Sequence, residues 1–270
     1  MKIESHSCAV VEHAWVNARY KYLRLRCPAP LARHTLAGQF FQLACPVSEA
    51  EQPFLRRPMS VYGIGPEDER IDFLYHVKGL GTRALERLRP GETLPIIGPL
   101  GKGFSFSPKW RRVLLVARGV GLATMAPLVP LASHAGVAMT MLLSARAPAD
   151  LMREEFLRGA RAEVHAMFDS DGSSAVERVE PLVRRLIEDE QPDMVYTCGS
   201  NRLLALLQRI LSAKSIEGEV ALEQQMACAM GVCLSCVRLF NEGGEKVFRR
   251  VCCEGPVFPI ASVSGEVQFA

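Results

Sequence analysis

Polar and apolar positions change their period twice along the chain. Up to about residue 105 they alternate in short stretches, clearest over residues 22–27 and 71–77, the period of strands with one buried face. Gly and Pro punctuate these stretches at Pro28, Pro30, Gly38, Pro46, Gly63, Gly65, Pro66, Pro90 and Gly91. Short strands so spaced predict a small antiparallel barrel or sandwich. From Arg112 the pattern becomes continuous. Residues 113–117 are apolar throughout, as in a parallel strand covered on both faces. Further strands are predicted over 137–144, 163–168 and 193–200. Helices are predicted over 150–157, 180–190 and 201–211, with Leu182, Val183, Leu186 and Ile187 on the core side of the second. Strands alternating with helices predict a doubly wound parallel sheet. In the last stretch, residues 237–240 and 245–248 flank Asn241-Glu242-Gly243-Gly244, a hairpin signal.

The expected fold is multi-domain: an N-terminal antiparallel β-barrel over 1–108, a central α/β doubly wound parallel sheet over 109–215, and a small C-terminal module over 216–270. A chain of 270 residues with 49% hydrophobic content suits that division. The net charge of +3, with no run of like charge, gives no reason to expect nucleic acid. Residues 1–10 lack an apolar signal core, and the longest apolar run is too short to span a bilayer. A soluble, cytoplasmic protein without a membrane partner is expected.

Nine cysteines are many for such a chain. Four form a pattern: Cys228, Cys233 and Cys236 in C-x4-C-x2-C spacing, then Cys252. This is the plant-type spacing of a [2Fe–2S] cluster. Gly231 lets the loop curl, and the small residues Ala227, Ala229 and Ser235 let amides approach sulfur. Zinc sites usually show paired knuckles, which this run does not. The scattered Cys8, Cys27, Cys45, Cys198 and Cys253 read as small buried hydrophobes.

Three other stretches carry candidate chemistry. Arg57-Pro58-Met59-Ser60 aims a cation and a hydroxyl in one direction, toward a phosphate or a flavin edge; alone it reads as a basic edge strand. Tyr75-His76-Val77 runs into Gly79-Leu80-Gly81-Thr82 and a helix, which makes an anion cradle or a plain strand-to-helix turn. Arg118-Gly119-Val120-Gly121 follows the first buried strand, where dinucleotide phosphates bind, but lacks the full G-x-G-x-x-G fingerprint.

The order of these parts resembles the electron-transfer subunit of dihydroorotate dehydrogenase, an iron–sulfur relative of the ferredoxin–NADP reductase group. The resemblance covers essentially the whole chain. It is most specific at Arg57-Pro58-Met59-Ser60, at residues 98–104 and 223–236, and at Val251-Cys252-Cys253-Glu254-Gly255-Pro256-Val257-Phe258. It implies FAD in the barrel, NAD(H) as substrate on the α/β domain, and a partner subunit that carries FMN and oxidises the pyrimidine, in a heterotetramer serving pyrimidine biosynthesis. It implies that Arg57, Pro58, Met59 and Ser60 hold FAD, that Tyr75, His76 and Val77 line the flavin, and that Gly81 and Thr82 meet its pyrophosphate. It places Gly119 and Gly121 on the nicotinamide nucleotide, Cys198 and Gly199 near the nicotinamide ring, and Cys252 rather than Cys253 as fourth cluster ligand. It requires no general base, so His76 and His165 are expected to be structural.

Two departures fall on the nicotinamide side. The usual Gly-Gly-Gly-hydrophobe-Gly is Ala117-Arg118-Gly119-Val120-Gly121, and the usual Cys-Gly-Pro is Cys198-Gly199-Ser200. Arg118 then either clashes with a pyrophosphate or pairs with it. Rival readings are the small subunit of a sulfide dehydrogenase or ferredoxin:NADP oxidoreductase, an oxygenase reductase, and a redox-sensing adaptor with weakened NAD binding.

Overall fold

The structure, a computed structural model, describes residues 3–49, 51–152 and 162–265. The expected barrel is closed. Its strands β1 (Ser5–Trp15), β2 (Tyr20–Arg26), β3 (Phe40–Leu43), β4 (Arg57–Gly65), β5 (Arg70–His76) and β6 (Thr93–Leu100) run in the order β1-β2-β5-β4-β3-β6. Alternation explains the closure: Leu23, Leu25, Phe41, Leu43, Ile71, Phe73, Leu94 and Ile96 share the interior. Phe41 and Phe73 meet edge to face at 5.8 Å there. Helix α1 (Ala29–His34) buries Leu31 and Ala32, and α2 (Leu80–Glu86) buries Ala84 and Leu85, in the same core. Gly98, Pro99 and Leu100, within one of the stretches most specific to the resemblance, belong to β6, which pairs with β1 and β3 around Ile97 and Leu100.

The α/β domain is built on β7 (Arg112–Arg118), β8 (Ala138–Ala145), β9 (Glu163–Phe168), β10 (Met194–Cys198) and β11 (Gly218–Ala221), all parallel. Its helices are α3 (Gly121–Met125), α4 (Leu128–Ala135), α5 (Val176–Glu190) and α6 (Asn201–Ser212). The predicted 180–190 helix starts earlier, at Val176, which adds Val179 to the buried Val183, Leu186 and Ile187; Leu182 is only half-buried. Each such side chain contributes about 1.5–3 kcal/mol of burial. Of the helix expected over 150–157, Asp150 closes a short 3-10 turn (Pro148–Asp150), and 153–157 lie outside the described residues.

The C-terminal segment is not a detached module. Its hairpin, β12 (Val237–Glu242) and β13 (Glu245–Arg250), turns tightly on Gly243-Gly244, so Asn241 and Glu242 belong to the strand rather than the turn. Helix α7 (Val251–Glu254) follows, and β14 (Val257–Pro259) then joins the α/β sheet antiparallel to β11. The six-stranded order is β14-β11-β10-β7-β8-β9. The chain winds outward from β7 to β9 on one side and from β10 to β11 on the other, so the topological switch point lies between β7 and β10. There Ala117 and Cys198 are sheet neighbours.

The barrel docks on this sheet through residues on its outer face. Tyr22, Tyr62 and Leu74 join one apolar cluster with Leu122, Ala123 and Val257. The 101–110 linker is tied down as well: Tyr196 donates to the Ser105 carbonyl at 2.6 Å, and Ser105 Oγ meets Glu219 Oε1 at 2.8 Å. Among the described residues no helix is long and apolar enough to cross a membrane.

Candidate functional site

A cavity of about 270 Å³ opens where all three parts meet. Pro58, Met59 and Ser60 of β4 and Tyr75 and His76 of β5 line one side; Val120, Ala123 and Thr124 line another; Leu222, Glu223, Gln224, Met226 and Pro256 close the third. Five expected flavin residues therefore converge. Their roles differ in ways alternation explains. The Tyr75 side chain points into the barrel, where burial holds its phenol well above the usual range. Its hydroxyl lies 2.8 Å from His13 Nε2, whose Nδ1 meets the Leu88 carbonyl at 2.8 Å. Since that carbonyl only accepts, Nδ1 carries the proton and Nε2 accepts from Tyr75. The next side chain, His76, points outward and packs on Tyr20, ring centroids 5.1 Å apart. Val77 donates its N–H to the Arg19 carbonyl at 2.9 Å and packs against the barrel core.

Arg57 reaches the start of α2. A Cβ on Gly81 would fall 2.4 Å from Arg57 Nε, so a glycine is what lets the guanidinium lie over the helix start. Thr82 Oγ1 accepts from the N–H groups of Lys78 and Gly79, both at 3.0 Å, and donates to the Gly79 carbonyl at 3.0 Å. It thus closes the turn that presents the first helical amides.

Of the residues expected on the nicotinamide side, Gly121, Cys198 and Gly199 meet at the switch point. Gly121 and Gly199 pack backbone to backbone: a Cβ on Gly121 would sit 2.5 Å from the Cys198 carbonyl oxygen, and one on Gly199 2.2 Å from that of Arg118. Gly199 is left-handed, with φ +92°. Cys198 is buried; burial first, and Glu223 next, push its thiol far above its ordinary range, against a hydrogen bond with Thr124. Arg118 is not loose. Its Nη1 donates to Ser144 Oγ at 2.8 Å and Asp169 Oδ1 at 3.1 Å, and its Nη2 to Asp169 Oδ2 at 2.7 Å. Arg118 first, then the Ser174 hydroxyl, hold the Asp169 carboxyl down at about 2.

Glu223 was not assigned a role from the sequence, although it opens one of the stretches most specific to the resemblance. It lines the central cavity and also a polar pocket of about 160 Å³ beside Gly199, Ser200, Asn201 and Arg238. Protein crowds it on most sides while its carboxyl stays open to both cavities; that crowding raises its pKa, against the pull of Lys78. Besides that stretch, its sequence signal is its place two residues after β11, where ligands gather.

Three residues after the cavity-lining Met226 comes a loop that reverses at left-handed Ala229 (φ +56°), Gly231 (φ +81°) and Leu234 (φ +60°). Met230 and Cys233 direct their N–H groups at Cys228 Sγ, both at 3.4 Å. Cys233 is exposed, and the Ser235 hydroxyl 3.5 Å away, with nearby backbone N–H groups, lowers its thiol to about 6. Cys236 and Cys252 are buried against each other, and Cys252 Sγ also receives the Gly231 N–H. The thiols stand as two pairs; among the described residues no group of three or more Cys, His, Asp or Glu is placed to hold a metal ion. The donor chemistry nevertheless fits an iron–sulfur cluster: four thiols on a tight loop with amides aimed at sulfur. Glu254 braces this arrangement. It accepts from Arg250 N at 2.8 Å and Nε at 3.0 Å, and Arg250 Nη1 donates to the Gly231 carbonyl at 3.3 Å.

A larger groove of about 810 Å³ lies at the opposite, N-terminal ends of the sheet strands, along residues 215–219 and 259–261. It holds none of the expected site residues, and open α/β sheets bind ligands at the other edge.

Residues 223–264 match a family model described as the iron-sulfur cluster binding domain of dihydroorotate dehydrogenase B. The chain is 32% identical over 239 residues to the dihydroorotate dehydrogenase B (NAD(+)) electron transfer subunit of Desulforamulus reducens, covering 88% of this chain and 90% of that one. To the subunit of the same name from Shouchella clausii it is 33% identical, covering 84% and 85%. Among solved structures, a chain of the NADH-dependent reduced ferredoxin-NADP oxidoreductase superposes with a TM-score of 0.77 at 23% identity, covering 95% of this chain and 89% of that one. The ferredoxin reductase of carbazole 1,9a-dioxygenase superposes at 0.64 with 20% identity, covering 80% and 67%. These two likenesses show the fold.

Proposed function

The chain belongs to the family of dihydroorotate dehydrogenase B electron-transfer subunits, and from that premise we propose how its residues carry electrons between NAD(H) and a catalytic partner. The observation that carries the reading is the central cavity: barrel strands, the α3 turn and the 222–226 segment line it together, and that segment runs directly into Cys228. A flavin there has a nucleotide site on one side and a cluster on the other. At about 270 Å³ the cavity falls below the roughly 300–1,000 Å³ of whole-ligand pockets. It suits the ring system of FAD, and Arg57 beside the Gly81–Thr82 turn would hold the part of FAD outside it.

Nicotinamide delivers electrons in pairs and a [2Fe–2S] cluster takes them singly, and FAD is the cofactor that does both. The chain positions these groups. Pro58, Met59, Ser60 and His76 contact the ring, while Tyr75 and Val77 hold their strand from the barrel side. Arg57 and the Gly81–Thr82 turn take the FAD phosphates, by a guanidinium over free helical amides. Gly119, Gly121, Cys198 and Gly199 form the nicotinamide crevice. Cys228, Cys233, Cys236 and Cys252 ligate the cluster, which requires the two thiol pairs to close on one site. Cys253 is left out: it lies outside the Cys236–Cys252 contact, half-exposed against Gly231.

The exposed Met230, Val232 and Leu234 on the same loop form the apolar surface on which the FMN-bearing catalytic subunit docks, close to the cluster. The assembly works in the cytoplasm, in pyrimidine biosynthesis. Anaerobic purification of both subunits together tests this. Iron, acid-labile sulfide and FAD should be present in the chain, with Cys252→Ser losing iron and Cys253→Ser keeping it. A zinc-loaded chain, or one whose iron survives Cys252→Ser and not Cys253→Ser, contradicts the assignment.

A further inference from the structure

Arg118 stands where the family's loop usually has glycine, and its surroundings say what it does there. The loop's own amides are largely spent. Gly119 N–H is bonded to the Ser144 carbonyl at 2.9 Å, Leu122 N–H to the Gly119 carbonyl at 3.3 Å, and Ala123 N–H to the Val120 carbonyl at 2.9 Å. Helix α3 is only five residues long, so its dipole adds little. A phosphate arriving at this turn finds few backbone donors. The guanidinium lies across the carboxyl ends of β8 and β9, over Ser144 and Asp169, on the edge where an open α/β sheet binds a dinucleotide.

Of its five N–H donors, three bonds go to Ser144 and Asp169. The bidentate pair fixes the plane of the group and leaves Nε–H and the second Nη2 proton without an acceptor among the described residues, on a side chain 22% exposed. Asp169 also receives the Ser174 hydroxyl and feels Arg202, so the single carboxylate does not cancel the local positive charge.

We propose that Arg118, held in place by Asp169 and Ser144, contacts the diphosphate of the nicotinamide nucleotide and takes over the anion-binding work that a glycine loop does with backbone amides. The inference rests on the reading of this crevice as the nucleotide site. Arg118 is therefore neither a clash nor a relic: it anchors the diphosphate common to these nucleotides.

The test is equilibrium binding of NAD+, NADP+ and ADP-ribose to the oxidised two-subunit complex, by calorimetry, for wild type, Arg118→Ala, Arg118→Gly, Arg118→Lys and Asp169→Asn. Flavin and cluster absorbance report that each variant is loaded. Arg118→Ala and Arg118→Gly should weaken all three ligands alike, by about tenfold to a hundredfold, as expected for lost charge-assisted hydrogen bonds. Arg118→Lys should recover part of the loss. Asp169→Asn should weaken binding less than Arg118→Ala does, with a steeper dependence on salt than wild type, because the guanidinium keeps its charge but loses its brace and its counter-charge. Arg118→Gly binding as tightly as wild type, or a loss confined to NADP+, overturns the diphosphate contact; so does Asp169→Asn weakening as much as Arg118→Ala. Absence of binding to loaded wild type overturns the nucleotide-site reading itself, and the inference with it.

Discussion

Replacing Gly121 by alanine tests the interlock at the switch point. The new Cβ would lie 2.5 Å from the Cys198 carbonyl oxygen, 2.6 Å from its carbon and 2.8 Å from Gly199 N, where ordinary contact is 3.4–4 Å. All three atoms are main chain, so no rotamer change relieves the clash, and the loop after β10 must move away from α3. Overpacking of this kind costs about 1–3 kcal/mol. For a chain of this size that is a fall in Tm of roughly 2–12 °C. The displaced residues are Cys198 and Gly199, so NAD+ affinity should fall along with Tm while FAD content holds. Gly136→Ala is the control. Unlike Gly121 it is left-handed, at φ +71°, and nothing lies within 4 Å of the added methyl. It should cost about 1 kcal/mol of backbone strain, and leave NAD+ binding alone. Calorimetric melts and NAD+ titrations of the two variants decide the matter. If Gly121→Ala melts with wild type and binds NAD+ equally well, the two loops do not constrain each other as described.

Three further outcomes are expected. Thr82→Ala removes the hydroxyl that closes the turn before α2; it should cost about 1 kcal/mol and lower FAD retention on gel filtration, with Thr82→Ser restoring both. Asp169 has a folded-state pKa of about 2 against an ordinary 3.8, so its contribution is complete above pH 3.8 and disappears as pH falls through about 2. The titrating part of the stability gap between wild type and Asp169→Asn, measured by denaturant melts, should close over that window and not above it. Val232 is 82% exposed on the cysteine loop, and Val232→Asp should leave flavin and cluster absorbance unchanged while the catalytic subunit no longer copurifies.

Much of the architecture could be read before any coordinates, because burial imposes a period. Residues 71–77 alternate since one face of β5 fills the barrel, and 113–117 do not since β7 is covered on both sides. What stayed hidden was long-range. Nothing local in Val257-Phe258-Pro259 says that it pairs with β11, and that pairing is what seats the cysteine segment against the nucleotide domain. The same holds at the site. Arg57 and Gly81 look like separate motifs, yet the missing Cβ of one makes room for the guanidinium of the other. Arg118 could be flagged as a departure, but its partner is Asp169, beyond an intervening strand and the end of the next. Glu223 carries no motif; its raised carboxyl comes from crowding by parts of the chain distant in sequence. The resemblance put Tyr75 at the flavin with its neighbours His76 and Val77, and the pleat alone shows that its ring turns into the barrel, to His13.

Everything described here depends on electrons passing within one polypeptide from nicotinamide to flavin to iron. An anaerobic titration of the purified two-subunit complex with NADH, followed by absorbance and by electron paramagnetic resonance, asks that question. Flavin absorbance should bleach, and a signal from a reduced [2Fe–2S] cluster should then rise, absent in Cys252→Ser. Bleaching with no cluster signal at any NADH concentration, in protein shown to contain iron and sulfide, would contradict it.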